Sequence, residues 1–316
     1  MASKPPLRIL HVAETVRGGI ATYLNELHRH HAPVFGEANL AYVVPGDHRA
    51  DLDAIADSNI WAYGRTGRNI RSLWNLVTST RAAVRQLRPD VVHLHSTFAG
   101  MVLRPALKAM FPELRLVYCP HGWAFLRDAS AVSHFTTRSM ERLLAPLASR
   151  IICISNCEFR AAVAAGIAPR RLALVHNGIA AERPKRQVKG WHDPRLKVLF
   201  VGRLDRQKGY DLLLKAAAAL EGDIHLHMIG STVVGRDQPL ELPSNVEMQG
   251  WQHHYTIEGQ LDEADLVVIP SRWEGFGFVA LEAMRAHKPI VAFAVGALPE
   301  IIEDGVTGLL CSPVEA

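Results

Sequence analysis

The sequence predicts an α/β protein built from two parallel-sheet domains. Short apolar runs alternate with segments of helical period along the whole chain. The alternation is interrupted once, by AAERPKRQVKGWHDPR (180–195), which is polar, charged and Pro-containing. The length of 316 residues, 48% hydrophobic and 21% charged, suits two cores better than one. The domains read as 1–183 and 196–316, joined by a linker at 184–195.

The elements follow in order. LRILHVAE (7–14), ANLAYVVP (38–45), PDVVHLHS (89–96), LRLVYCPHG (114–122), RIICIS (150–155) and LALVHNG (172–178) are short apolar strands. GGIATYLNELHRHH and NIRSLWNLVTSTRAAVRQL (69–87) read as helices, the latter with Ile70, Leu73, Trp74, Val77, Val84 and Leu87 near helical spacing. NCEFRAAVAAG is a third helix, ending at Gly166. Beyond the linker, KVLFVG (197–202), IHLHMIG (224–230), VEMQG (246–250), DLVVIPS (265–271) and PIVAFAV (289–295) are strands. GYDLLLKAAAAL, TIEGQLDEA and FGFVALEAMRAH are the helices between them.

Bulk properties narrow the function. No apolar stretch approaches the roughly 20 residues of a membrane-spanning helix. The N-terminus lacks the apolar core of an export signal, so a cytoplasmic location is expected. The four cysteines, Cys119, Cys153, Cys157 and Cys311, read as buried reduced thiols. The net charge of +4 hides an asymmetry: residues 1–190 carry 25 Lys and Arg against 13 Asp and Glu, residues 191–316 carry 10 against 18. A basic half suggests an anionic partner or a coat of solvated arginines. No nucleic-acid reader motif is present, so nucleic acid is not expected.

In parallel sheets, ligands bind beyond the carboxyl ends of the strands. Three Gly-containing loops lie there. ETVRGGIATYL places Gly18 and Gly19 between a strand and a helix, where backbone N–H groups can approach an anion; a plain tight turn fits equally. It is neither GxGxxG nor a P-loop. FVGRLDRQKGYDLLL places Arg203 and Lys208 beside a helix start, as a pyrophosphate clamp would need. SRWEGFGFVALEAM places Glu274 in a turn with Gly275, Phe276 and Gly277, and Glu282 on the helix that follows. Each carboxylate can accept two hydrogen bonds from a diol, so the spacing suits a nucleotide-sugar. Helix capping by Glu274 and solvation of Glu282 fit the spacing as well.

EGFGFVALE resembles the E-x7-E signature of retaining family 4 glycosyltransferases, which have two Rossmann-like domains facing across a cleft (the GT-B fold). VGRLDRQKG, RGGIATYL, VHLHS, PHGW, ICIS, LVHNGI and GALPEIIEDGVTGLL resemble family segments in family order. The resemblance implies transfer of a sugar from a UDP- or GDP-sugar to a lipid-linked or oligosaccharide acceptor in surface-polysaccharide synthesis. It implies that Glu274 holds donor-sugar hydroxyls with the amides of Gly275, Phe276 and Gly277, and that Glu282 binds the ribose. Arg203 and Lys208 would stabilise the leaving diphosphate without a metal. Gly18 and Gly19 would approach it from the other domain, and His121 would sit near the reacting sugar. Asp51 and Asp53 form an Asp-x-Asp outside the motif series and read as surface.

The resemblance also gives the basic half a role. Arg65, Arg68, Arg71, Arg81, Arg85 and Arg88, with Leu73 and Trp74, would dock the protein on the anionic inner face of the membrane. Such a segment can also be a solvated helix packed through Leu73 and Trp74. The family continues past the position of LLCSPVEA, so a truncated C-terminal domain is expected. A nucleotide-sugar-binding subunit without turnover is the alternative function.

Overall fold

The computed structural model describes residues 6–182, 190–231, 242–252 and 254–312. Residues 184–189 of the expected linker therefore lie outside the described residues. The chain separates into two compact units, Met1–Asn177 and Gly178–Ala316.

The first unit holds strands β1 (Ile9–Ala13), β2 (Leu40–Pro45), β3 (Ile60–Tyr63), β4 (Val91–His95), β5 (Arg115–Cys119), β6 (Arg150–Cys153) and β7 (Leu172–Leu174). They pair in parallel in the order β3-β2-β1-β4-β5-β6-β7. Its helices are α1 (Gly19–Phe35), α2 (Ile70–Leu87), α3 (Thr97–Met110), α4 (Ala131–Leu144) and α5 (Asn156–Ala164). Strand residues alternate between two apolar layers. Leu10, Val12 and Val43 join Leu76 of α2 and Leu103 of α3, while Ile9, Ala13 and Tyr42 join Leu24 of α1. Helices on both faces are why these strands read as nearly continuous apolar runs.

The second unit holds β8 (Leu196–Val201), β9 (Ile224–Ile229), β10 (Val246–Gly250), β11 (Leu266–Ile269), β12 (Ile290–Phe293) and β13 (Leu309–Cys311). Its parallel order is β10-β9-β8-β11-β12-β13. Its helices are α6 (Tyr210–Ala219), α7 (His254–Glu263), α8 (Phe278–Arg285) and α9 (Leu298–Ile301). Both units are doubly wound. Chain order reverses between β1 and β4 in one and between β8 and β11 in the other. Ligands of such sheets bind beyond the strand ends at the reversal.

Among the described residues, strands β3 and β13 and helices α3, α4 and α9 go beyond those expected from the sequence. β3 is a four-residue edge strand, mostly half-buried, with too little apolar signal to stand out. α3 contains Gly100 and Pro105, both normally helix breakers. Gly100 is there for space, since a Cβ would come within 2.3 Å of the Tyr118 ring. α4 exposes Val132, Phe135 and Leu143 and buries Glu141, the reverse of an ordinary amphipathic pattern. Glu141 accepts from Arg104 Nη2 at 2.6 Å and from Tyr118 Oη at 2.8 Å, which pins α4 to α3 and β5.

Cys119 and Cys153 are buried free thiols, as expected; Cys157 is half-buried and Cys311 exposed, because β13 leaves its end residues open to solvent. No helix among the described residues is long and apolar enough to cross a membrane.

Candidate functional site

In the second unit, two loops meet where chain order reverses. After β8 the chain passes Arg203 and enters a short helical turn, Arg206–Lys208, capped by the Asp205 carboxylate, which accepts the Lys208 N–H at 3.1 Å. Gly209 follows with φ +67°; a Cβ there would lie 1.9 Å from the Pro270 carbonyl oxygen, so only glycine lets the loop close on the end of β11. The approach places Lys208 Nζ 2.5 Å from Glu274 Oε2, and Ser271 Oγ donates to the same oxygen at 3.3 Å. Gln207 Nε2 donates to the Trp273 carbonyl at 3.3 Å, and the Arg272 N–H to the Gln207 carbonyl at 2.8 Å. Arg272 also forks onto Asp211 with two contacts of 2.7 Å, which holds its carboxyl below the usual range. Arg203 Nη2 reaches Gln207 Oε1 at 2.6 Å and Asp205 Oδ2 at 3.1 Å.

Glu274 and Gly275 are half-buried, Phe276 is buried, and Gly277 caps α8. Glu282 lies one turn from the end of that helix and is buried. Burial pushes its carboxyl above the usual range and the nearby Glu258 adds to this, while His254, Arg285 and Lys208 pull the other way. Arg285 pairs with Glu258 and donates to the Ala180 carbonyl at 2.9 Å; His254 Nε2 lies 3.3 Å from Glu258.

In the first unit, β1 runs into Glu14, and Gly18, at φ +75°, caps α1. Glu14 is buried and accepts from Arg65 at 2.8 and 3.0 Å, with Arg68 Nε at 3.6 Å. Arg65 and Arg68, counted by sequence with the membrane-facing arginines, are therefore turned toward the end of β1. Arg68 also stacks on Phe98, 4.5 Å from the ring centre.

His121 follows β5 with φ +52°, and Ser96 follows β4 with φ +79°. Positive φ in residues other than glycine marks strain that surrounding structure must hold. Glu158 does the holding beside His121. Ser155 caps α5, and Glu158, three residues on, accepts from the Gly122 N–H at 2.6 Å and the Ile154 N–H at 3.0 Å. Trp123 Nε1 donates to the Glu158 carbonyl at 3.1 Å. His121 Nε2 lies 3.0 Å from His95 Nδ1, and Tyr23 packs edge-on against the His121 ring at 4.6 Å. Burial lowers the His121 pKa to about 3, so the ring is neutral at pH 7.

The structure thus brings Arg203, Lys208, Glu274 and Glu282 into one unit around a single strand reversal. It places Gly18, Gly19 and His121 at strand ends of the other. The sequence suggested Arg203 and Lys208 as a pair of cations held for a ligand. In the structure each is engaged with a neighbouring side chain, Lys208 with Glu274 itself. Sequence reasoning missed Glu14, His95, Glu158 and Ser271. The alternate histidines of VHLHS and the Ser-x-x-Glu of SNCE were the available signals. Two clusters among the described residues offer metal-ligand atoms within 4.8 Å of one another: His11, His93 and His95, and His225, His227 and Glu247.

The model of the family described as Glycosyltransferase Family 4 matches residues 17–183, and that described as Glycosyl transferases group 1 matches residues 182–316. A 41.2 kDa protein in the cps region of Klebsiella pneumoniae is 32% identical over 315 residues, covering 96% of this chain and 86% of the relative. The D-inositol 3-phosphate glycosyltransferase of Mycobacterium bovis is 31% identical over 71% of this chain, which spans 51% of that relative. Anabaena Alr3699/HepE, solved in complex with UDP-glucose, superposes with a TM-score of 0.75 at 21% identity, covering 98% of this chain and 86% of the other.

Proposed function

Since the chain belongs to the family 4 glycosyltransferases, we propose that it moves a sugar from a nucleoside-diphosphate sugar to a hydroxyl of a lipid-linked or oligosaccharide acceptor, with retention at the anomeric carbon. The product would enter a surface polysaccharide; the cps-region relative supports that setting, and the UDP-glucose complex of the Anabaena neighbour supports the donor class.

The observation that carries the proposal is the contact of Lys208 with Glu274, which joins a cation and a carboxylate from two loops at the β8/β11 reversal. Glycosyl transfer builds positive charge at the anomeric carbon and negative charge on the departing diphosphate. Lys208 and Arg203 would take the second charge, without a metal. Glu274, with the amides of Gly275, Phe276 and Gly277, would bind the sugar hydroxyls, and Glu282 the ribose diol. Glu274 and Glu282 serve opposite ends of the donor, so they are not the carboxylate pair of a retaining hydrolase, which sits about 5–5.5 Å apart. The acceptor hydroxyl would attack from the leaving-group side and pass its proton to the departing phosphate. His121, neutral and hydrogen-bonded, would contact the reacting sugar.

The exposed face of α2 supports docking on an anionic membrane. Ile70 is 87% and Trp74 67% exposed, and the exposed Arg81 and Arg85 continue the same face.

A thermal-shift panel with UDP, GDP, ADP and NAD tests the donor site. One of the first three should raise Tm, by the equivalent of about 2.7 kcal/mol at 100 times its Kd. Glu282→Ala should abolish the shift, and EDTA should leave the transfer rate unchanged. A folded chain that none of the nucleotides stabilises would refute the site.

A further inference from the structure

The first unit buries imidazoles where its sheet would ordinarily place aliphatic side chains. His11 on β1 is in register with His93 on β4, and His95 lies two residues on, so all three take the sheet face beneath α1. His11 Nδ1 lies 3.1 Å from His95 Nε2, and His95 Nδ1 lies 3.0 Å from His121 Nε2. Both nitrogens of His95 are therefore committed. The two ends of the chain differ. His11 Nε2 is buried with no hydrogen-bond partner among the described residues. His121 is half-buried just past the end of β5, and its Nδ1 is the end of the chain left for a ligand.

We propose that His95, anchored by His11, is a positioning residue that fixes His121 as the tautomer protonated at Nδ1. His121 then presents a hydrogen-bond donor to an oxygen of the bound sugar or phosphate. The proposal rests on the assignment of His121 to the reacting sugar.

Each neutral imidazole carries one N–H, and the tautomer of one ring is set by the bond its other nitrogen makes. Two bonds in series leave two arrangements. In the first, His121 Nε2–H donates to His95 and His95 Nε2–H donates to His11. His11 must then carry its proton on Nε2, a buried donor with no acceptor. In the second, His11 Nδ1–H donates to His95 Nε2 and His95 Nδ1–H donates to His121 Nε2. His11 Nε2 then keeps only a buried lone pair. Orphaned buried N–H groups are rarer than under-used acceptors, so the second arrangement wins. It leaves the His121 proton on Nδ1. Any mixed arrangement breaks one of the two bonds. Burial lowers the pKa of all three rings, which keeps the count at one proton per ring. His93 packs 4.1 Å from the His95 ring centre and Tyr23 edge-on to His121, so neither ring can readily turn over.

The test is ¹⁵N NMR of histidine-labelled protein at neutral pH, with the His121 signals assigned by His121→Asn. Wild type should show His121 protonated at Nδ1 and bare at Nε2. In His95→Gln the amide takes the place of Nε2, and His121 should relax to a mixture of tautomers. A wild-type His121 protonated at Nε2 would overturn the proposal. So would an unchanged single tautomer in folded His95→Gln. Stoichiometric metal in the purified protein, lost in His93→Asn, would also overturn it, because the same imidazoles would then be ligands. The spectrum is read without turnover, so its failure is separate from a failure of the nucleotide panel.

Discussion

The Lys208 ammonium and the Glu274 carboxylate, 2.5 Å apart, are half-buried and hold each other in place. In the transfer proposed above, a fixed cation of this kind would need no reorganisation as charge develops on the leaving group. Lys208→Ala should lower kcat/KM by about 10²–10³, or roughly 3–4 kcal/mol of barrier. A steady-state assay returning a value close to wild type would take Lys208 out of the mechanism. Arginine at this position would be a poorer substitute than its charge suggests, since a planar fork does not fit a site built for a single ammonium. The contact itself was not legible in the sequence, where Lys208 and Glu274 lie 66 positions apart.

The fit of α3 against α4 depends on one buried ion pair. Arg104 and Glu141 are both fully buried, and the guanidinium also lies over the Tyr118 ring at 4.1 Å. Replacing Glu141 alone would strand a buried charge. Glu141→Leu should cost about 3–5 kcal/mol in urea unfolding, and Arg104→Met added to it should restore most of the loss. A double variant no more stable than the single one would show that the pair is worth more than its geometry implies. α2 makes the opposite use of charge, on its outer face. With Arg81 and Arg85 changed to Ala alongside Trp74→Ala, sedimentation with anionic vesicles should fall to the level seen with neutral vesicles. Binding by the unmodified chain should weaken as salt rises. Binding that ignores both changes would remove α2 from the membrane contact.

Acid should act on the molecule unevenly. His11, His93, His95 and His121 are all held below the ordinary 6.5 by burial, His93 and His121 down to about 3. All four lie in the first unit. The unfolded chain binds protons that the folded unit refuses, so stability rises with pH through this window. It is complete above about pH 6.5 and is lost on acidification, at about 1.4 kcal/mol per pH unit for each ring. Calorimetry between pH 7 and pH 5 should show the first unit's transition moving down most. His93→Leu should shrink that movement. Equal movement of both transitions would mean the imidazoles are not held neutral.

What the sequence determined by itself was the α/β class, most of the strands and the three Gly-containing loops. Each is a local property: apolar runs of strand length, helical spacing, and glycine where a strand meets a helix. Glu282 on a helix and Glu274 in its turn follow from the same local rules. Tertiary structure alone decided which loops meet, because parallel strands adjacent in space are distant in sequence: β8 pairs with β11 across intervening β9 and β10. It decided that Arg65 and Arg68 gather at Glu14, that Glu158 holds the His121 loop, and that His11, His95 and His121 form one hydrogen-bonded chain. Burial set their protonation, and burial is a property of the packed molecule, since only its packing removes the water that would otherwise stabilise their charge.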